Sequence, residues 1–361
     1  MPTTARAATV GSPGATPLVE DVLLADPRPG EVLVRVAATG VCHTDVALAA
    51  GEYTEGVDQF PIVLGHETSG VVEAVARNDS AFSVGDRVVI ALTHHCGVCS
   101  YCERGTPILC ARREDSPWRL SRADGSRLHQ AYGVGGFAEA VIVREASLVR
   151  VPDDVPLVSA AVVGCAVACG IGAVWNIAGV RPGSSVVVFG AGAVGMSVVM
   201  GSALAGAHRI TVVDPDQGRR ERAVRLGATE GIGFDDDVLQ HLMEGDGFDY
   251  AFESVGKADA MECAVRSTRR GGTVTLMGAP QRDVTFTLNA LEFVSSQRKL
   301  LACLGGNVRP HDDFERYFRL YSRGRLDIDA LVTGTLPLTA IADAFESSRS
   351  RDGLRTVVVN D

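Results

Sequence analysis

A length of 361 residues allows about two domains, and 46% hydrophobic with 22% charged residues is an ordinary globular composition. The formal charge of −10 argues against nucleic acid and against an anionic membrane as partners. Nine cysteines, many of them clustered, point to metal ligation in a reducing cytoplasm rather than to a disulfide framework. Met1–Val10 carries one Arg and no long apolar core, so no signal peptide is expected.

Residues 1–40 alternate as strands do, most clearly over Glu31–Val36. Thr39-Gly40-Val41 ends that strand, and a helix over Asp45–Ala50 is expected, with Thr44 or Asp45 as its cap. Pro61–Glu67 is an apolar run ending in Gly65, His66 and Glu67. Gly70–Val75 and Gly85–Ile90 read as further strands, separated by turn residues at 78–80. The front segment is therefore expected to be a strand-rich barrel or sandwich.

Cys96, Cys99, Cys102 and Cys110 then follow with gaps of two, two and seven residues. Such a loop can wrap one tetrahedral ion, and zinc takes four thiolates at about 2.3 Å in closed, structural sites. Disulfides and an iron–sulfur cluster are the alternatives at this spacing. A ferredoxin-like cluster would want a shorter last gap followed by Pro. His94 and His95 precede the set, which the four thiols already complete. Residues 111–135, with Trp118 and two Ser-Arg pairs, read as an irregular excursion: a substrate entrance, a subunit contact or a plain surface loop.

Two stretches, Val155–Val180 and Pro182–Ala207, carry no charged residue and are long enough to span a bilayer. Their Gly, Ala, Ser and Val content favours buried elements of an α/β domain over a membrane span. From about residue 165 strands and helices alternate, with strands over Ser185–Phe189, Ile210–Asp214, Asp249–Glu253 and Gly272–Gly278. That alternation predicts a parallel, doubly wound sheet. The tail, Leu354–Val359, reads as a strand returning to the front domain.

Between the first of these strands and the next helix stands Gly190-Ala-Gly192-Ala-Val194-Gly195. The first Gly permits the turn, the second lets the backbone approach a pyrophosphate, and the third lets helix and strand pack closely. The helix N-terminus then offers free N–H groups to phosphates. Asp214 ends the next strand, where the fingerprint places an acid for the ribose hydroxyls. This favours NAD over NADP, although Arg219 and Arg220 stand close by. Gly190, Gly192, Val194, Gly195, Asp214 and Arg219 are the expected cofactor-binding residues of this segment.

Three further ligand types remain: Cys42, His66 and Cys165. Two Cys and one His with an open fourth place describe a catalytic zinc site, but residues this dispersed are not assembled by spacing alone. The order of Gly40-Val-Cys42-His43-Thr44-Asp45, Gly65-His66-Glu67, the four-cysteine lobe, Gly164-Cys165 and the glycine fingerprint resembles that of the zinc-dependent medium-chain alcohol dehydrogenases. The resemblance covers nearly the whole chain. It implies an α/β fold: a split, strand-rich GroES-like catalytic domain (1–164 and 303–361) carrying the structural zinc lobe 96–110, and a doubly wound Rossmann domain (165–302). It implies two zinc ions per subunit, with Cys42, His66 and Cys165 holding the catalytic one. It implies that Thr44 takes the proton of the alcohol, that Glu67 and Asp45 are acids beside the metal, and that His43 and Arg355 contact the cofactor pyrophosphate. A homodimer pairing near Leu300–Leu304 is implied as well, with a tetramer as the alternative.

This chain departs from the family pattern at three places. Ala47 stands where a relay His is common. Ala166 and Cys169 stand where Gly and a Thr beside the nicotinamide are usual. Cys169, Cys263 and Cys303 are expected as packing residues. Leu92 matches a position that lines the substrate pocket. The leading expectation is an NAD-dependent zinc alcohol dehydrogenase acting on a primary allylic, aromatic or medium-chain alcohol, or on the aldehyde in reverse. The alternatives are a thiol-adduct formaldehyde dehydrogenase, a biosynthetic reductase of C=O, C=N or conjugated C=C bonds, and a zinc- and NAD-binding sensor without turnover.

Overall fold

The structure, a computed structural model, describes residues 3–52, 59–77, 79–92, 95–112, 119–235, 237–243, 245–350 and 353–360. His94 and Trp118 lie outside the described residues. The chain divides into two compact units, Met1–Cys165 with Arg309–Asp361, and Ala166–Val308.

The first unit is built around the strand Glu31–Gly40, whose alternating valines are buried. One edge of it pairs antiparallel with Glu67–Val75. The other is shared between Ala140–Arg144, over residues 31–35, and Arg355–Val359, over residues 38–40. The C-terminal tail thus returns to this unit. Arg87–Ile90, Leu148–Arg150 and Val332–Pro337 complete a seven-stranded sheet. Thr3–Val10, Leu18–Leu24, Leu120–Ser121, Arg127–Gln130 and Ile62–Val63 close into a barrel. Val22, Leu24, Leu120 and Leu128 from the barrel share one core with Val34, Val88 and Ile90 from the sheet.

Two expectations are corrected here. The excursion 111–135 is not irregular throughout: Leu120 and Ser121 pair with Leu128 and Arg127 around a turn. Its charges tie it inward, with Arg122 on Glu20 at 2.8 Å and the buried Arg119 on Glu31 at 2.5 Å. The helix expected from Asp45 begins at His43, and its cap is Cys42 rather than Thr44 or Asp45. Asp45 instead sits one turn in, where its carboxylate accepts the Cys42 N–H at 3.1 Å.

The second unit holds a six-stranded parallel sheet. Its strands are Ser185–Phe189, Arg209–Val213, Glu230–Ile232, Phe248–Glu253, Thr268–Leu276 and Lys299–Ala302. Numbered along the chain within this sheet, they lie in the order 3-2-1-4-5-6, the dinucleotide-binding, doubly wound arrangement. The first strand is buried at every residue, as a central parallel strand must be. One helix, Leu157–Ala178, is long and apolar enough to cross a membrane, yet 83% of its apolar window is buried inside the fold. It behaves as a core helix.

Candidate active site and metal centres

Cys42, His66, Glu67 and Cys165, from three separate stretches of the first unit, bring their donor atoms within 4.8 Å of one another. Cys42 caps a helix that leaves the end of the central strand. His66 and Glu67 enter the neighbouring strand, and Cys165 sits in a π-helical turn, Val163–Val167, a feature frequent at functional sites. Two of the donors are introduced by a glycine that close approach demands. Gly65 has φ +94°, and a Cβ there would lie 2.7 Å from the Phe137 nitrogen. A Cβ on Gly164 would lie 2.6 Å from the Ile90 carbonyl.

Asp45 organises the centre. It is fully buried. One carboxylate oxygen takes the Cys42 N–H, and the other takes the Gly65 N–H at 3.0 Å and faces His66 Nδ1 at 3.0 Å. The imidazole is thereby fixed with Nε2 left for a ligand, the arrangement in which a carboxylate orients a metal-binding histidine. Burial pulls the His66 pKa down, but Asp45 and the Cys42 thiol outweigh it and hold the ring well above its ordinary range. Cys42 is held well below the ordinary thiol range by its hydrogen bond with Cys165, with Arg355 and His66 adding to the pull against burial. Burial lifts Glu67 to about 7 against the attraction of Arg355.

Glu67 and Arg355 form a buried ion pair at 2.9 Å, but the Arg355 Nε–H does not point along that contact. Both Glu67 oxygens are left without a hydrogen-bond partner. An orphaned carboxylate beside two thiols and an imidazole is a donor set that a cation would complete. Arg355 also donates to the Val41 carbonyl at 2.8 Å and is buried, so its charge is turned toward this centre. The expected contact with a pyrophosphate had not suggested that inward role. Thr44 Oγ1 lies 3.6 Å from Cys42 Sγ, at the rim of the donor set. His43, on the same helix, is exposed. Tyr132 was not foreseen: its ring meets that of His66 edge-on at 5.1 Å, on a left-handed backbone with φ 55°.

The second thiol set, Cys96, Cys99, Cys102 and Cys110, is gathered within 4.8 Å as well. Cys99 Sγ is 3.5 Å from Cys102 Sγ and 3.9 Å from Cys110 Sγ, and the Cys96 N–H donates to Cys110 Sγ at 3.3 Å. Backbone N–H groups of Cys102 and Ala111 bring Cys99 down to about 6, while burial and its neighbours push Cys102 up to about 12. Four thiols this close cannot all ionise by themselves; a divalent cation would deprotonate the set.

In the second unit the glycine turn follows its strand directly, and the helix Ala193–Leu204 starts within it. Gly190 has φ +93°, and a Cβ on Gly195 would collide with the Gly190 carbonyl. A Cβ on Gly192 would meet no protein atom within 4 Å, as expected where glycine serves a ligand rather than the packing. Asp214 lies 7% exposed at the end of the second strand. It accepts the Ala191 N–H at 2.7 Å and the Asp216 N–H at 2.9 Å, so it braces the turn while keeping lone pairs free. Arg219 follows in the first turn of Gln217–Arg225, where its N–H is capped by Asp216. Arg220 is spent on the Asp214 and Pro215 carbonyls at 2.7 and 2.9 Å.

Residues 28–153 match the family described as alcohol dehydrogenase GroES-like domain, and residues 193–323 match the zinc-binding dehydrogenase family. The chain is 34% identical to an S-(hydroxymethyl)glutathione dehydrogenase of Escherichia coli O6:H1, covering 98% of this chain and 99% of that protein. A crystal structure of an alcohol dehydrogenase zinc-binding domain protein from Burkholderia ambifaria superposes with a TM-score of 0.94 at 33% identity, covering 100% of both chains. Benzyl alcohol dehydrogenase from Acinetobacter calcoaceticus superposes at 0.91 with 30% identity, covering 99% of this chain and 100% of that one.

Proposed function

This chain belongs to the zinc-dependent, medium-chain alcohol dehydrogenase family of oxidoreductases, and we propose that it oxidises a primary allylic, aromatic or medium-chain alcohol with NAD. The observation that carries this reading is the buried Cys42–His66–Cys165 set with Asp45 locking the imidazole and Thr44 at its rim. Zinc held there would supply Lewis acidity toward the hydroxyl, and NAD would supply the hydride acceptor.

The chain's own residues do the rest. Cys42, Cys165 and His66 hold the ion, and Asp45 keeps His66 in one tautomer. Glu67 and Arg355 balance charge beneath the donor set. Thr44 Oγ1 receives the alcohol proton and passes its own outward; Ala47 offers no imidazole to carry it further. The Tyr132 ring beside His66 forms an aromatic wall that suits a flat, apolar substituent and excludes water. Backbone N–H groups of the Gly190–Gly195 turn, with Val194 in the first helical turn, bind the pyrophosphate. We assign His43 to the same cofactor group, and Arg219 to the ribose that Asp214 binds. The Cys96–Cys110 lobe holds a second, structural zinc.

A second reading, a thiol-adduct formaldehyde dehydrogenase, is favoured by the Escherichia coli relative. Turnover of free benzyl alcohol, set against turnover of formaldehyde mixed with a small thiol, separates the two. Activity on free alcohols alone supports the leading reading. Activity only in the thiol mixture would replace it. No disulfide joins any of the nine cysteines, which suits a reducing cytoplasm. Exposed Leu291 (79%) and Val294 (74%) shortly precede the edge strand Lys299–Ala302 in the chain, which supports pairing with a second copy at this edge.

A further inference from the structure

Cys169 and Cys303 belong to neither donor set, and both lie in the unit Ala166–Val308. Cys303 directly follows the edge strand, at its C-terminal end, and its N–H donates at 2.9 Å to the carbonyl of Leu276, which ends the neighbouring strand. Cys169 lies in the helical turn Ala168–Gly172. Cys303 Sγ is 3.9 Å from the Cys169 carbonyl oxygen. The Cys169 side chain holds the Cys303 thiol below its ordinary range against burial. Their backbones are locked together. A Cβ on Gly172 would fall on the Gly306 carbonyl, and one on Gly306 would fall on the Ala168 carbonyl. Asn176 reaches the Gly306 and Asn307 carbonyls at 3.4 and 3.5 Å. Cys303 is buried, whereas Cys169 is half-buried and so reachable.

The place matters as much as the pair. Dinucleotides bind beyond the C-terminal ends of the strands in such a sheet, and Cys303 stands at that end of one of them. Gly170, next to Cys169, packs on the helix that starts in the glycine turn: a Cβ there would lie 2.6 Å from the Val194 carbonyl and 2.8 Å from the Val198 nitrogen. The thiol pair is therefore coupled both to the sheet end and to the phosphate-binding helix.

We propose that Cys169 and Cys303 form a reversible disulfide in response to low-molecular-weight disulfides, and that this bond weakens dinucleotide binding; the second part rests on the dinucleotide reading given above. The Cys169 thiolate attacks one sulfur of the reagent, forming a mixed disulfide and expelling one thiolate. Cys303 then attacks Cys169 sulfur and expels the second. Two protein thiols are oxidised, one reagent disulfide is reduced to two thiols, and the two protein protons end on them. Forming the roughly 2.05 Å bond of a disulfide asks for side-chain torsion, since the backbone around Cys169 already abuts that following Cys303.

The test uses the zinc-loaded, full-length protein and 2-hydroxyethyl disulfide, with thiol blocking and peptide mapping. A linked Cys169–Cys303 peptide is expected, lost in Cys169→Ser and reversed by dithiothreitol. NADH titration of the oxidised protein should show a dissociation constant raised about tenfold or more, with no such change in Cys303→Ala after the same treatment. Saturating NADH should slow formation of the link. Reaction at other cysteines without this link would overturn the site. A link with unchanged NADH affinity would overturn the coupling. Failure of the untreated protein to bind NADH would overturn the dinucleotide reading and the coupling together, while the mapped link would stand.

Discussion

At the scale of single residues, the centre is wired through Asp45, whose one carboxylate ties two backbone N–H groups and an imidazole together. Cys42, His66 and Cys165 stand out as ligand types just after a strand-like run or at a glycine, and the structure brings them together. Asp45 reads from its local sequence as a helix cap and from the family resemblance as an acid beside the metal; its partners are the backbones of Cys42 and Gly65 and the His66 ring. That pattern needs two strands and a helix in register, which local sequence does not encode. Tyr132 lay hidden for the same reason: nothing in Ala131-Tyr132-Gly133 announces a left-handed tyrosine against a ligand imidazole. Replacing Asp45 with Asn removes the charge but keeps the shape. Zinc affinity at the catalytic centre should then fall about 10–100-fold, read by chelator competition, and unchanged affinity would contradict the role given to Asp45. Asp214→Gly should raise the relative use of NADP, because it removes a carboxylate that repels a 2′-phosphate. A cofactor ratio equal to that of the wild type would remove the ribose assignment.

At the scale of elements, the strongly patterned strands were readable, although Glu31–Val36, Gly70–Val75 and Gly272–Gly278 each miss several residues at one end. Ser185–Phe189 has the bounds its valine run suggests, and Glu31–Val36 is the start of a strand that continues to Gly40. The hairpin at Leu120–Gln130 was missed because its strands are short and its partners lie far away in the chain, at Leu18–Leu24 and Ile62–Val63. Period-two alternation cannot show itself in two residues. The cysteine lobe is the opposite case: its spacing is local, so its geometry was anticipated. Its one α-helical segment is Ser100–Glu103, too short to stand alone. Zinc binding should therefore supply the lobe's order. Cys99→Ser should lower the melting temperature by about 5 °C or more, at roughly 2–4 °C per kcal/mol lost, while the far-ultraviolet spectrum at 20 °C keeps its shape. A melting temperature equal to that of the wild type would show that the lobe needs no metal.

At the scale of the whole molecule, composition bounded the class, alternation of strands and helices gave the parallel sheet, and the tail strand Arg355–Val359 closed the first unit across more than three hundred residues. The proposed homodimer draws on the exposed Leu291 and Val294, which shortly precede the edge strand Lys299–Ala302 in the chain and would be costly to leave in water. Light scattering should give twice the 37.9 kDa chain mass, and Leu291→Glu with Val294→Glu should shift it toward the monomer. A wild-type monomer would contradict pairing at that edge. The central claim joins a catalytic metal held by Cys42, His66 and Cys165 to a nicotinamide cofactor. It is tested most directly by following NADH formation at 340 nm with NAD and a panel of free aliphatic, allylic and aromatic primary alcohols, in the wild type and in Cys42→Ser. Turnover of at least one alcohol by the wild type, abolished in a folded Cys42→Ser protein, is the result predicted. Equal rates in both proteins would contradict it.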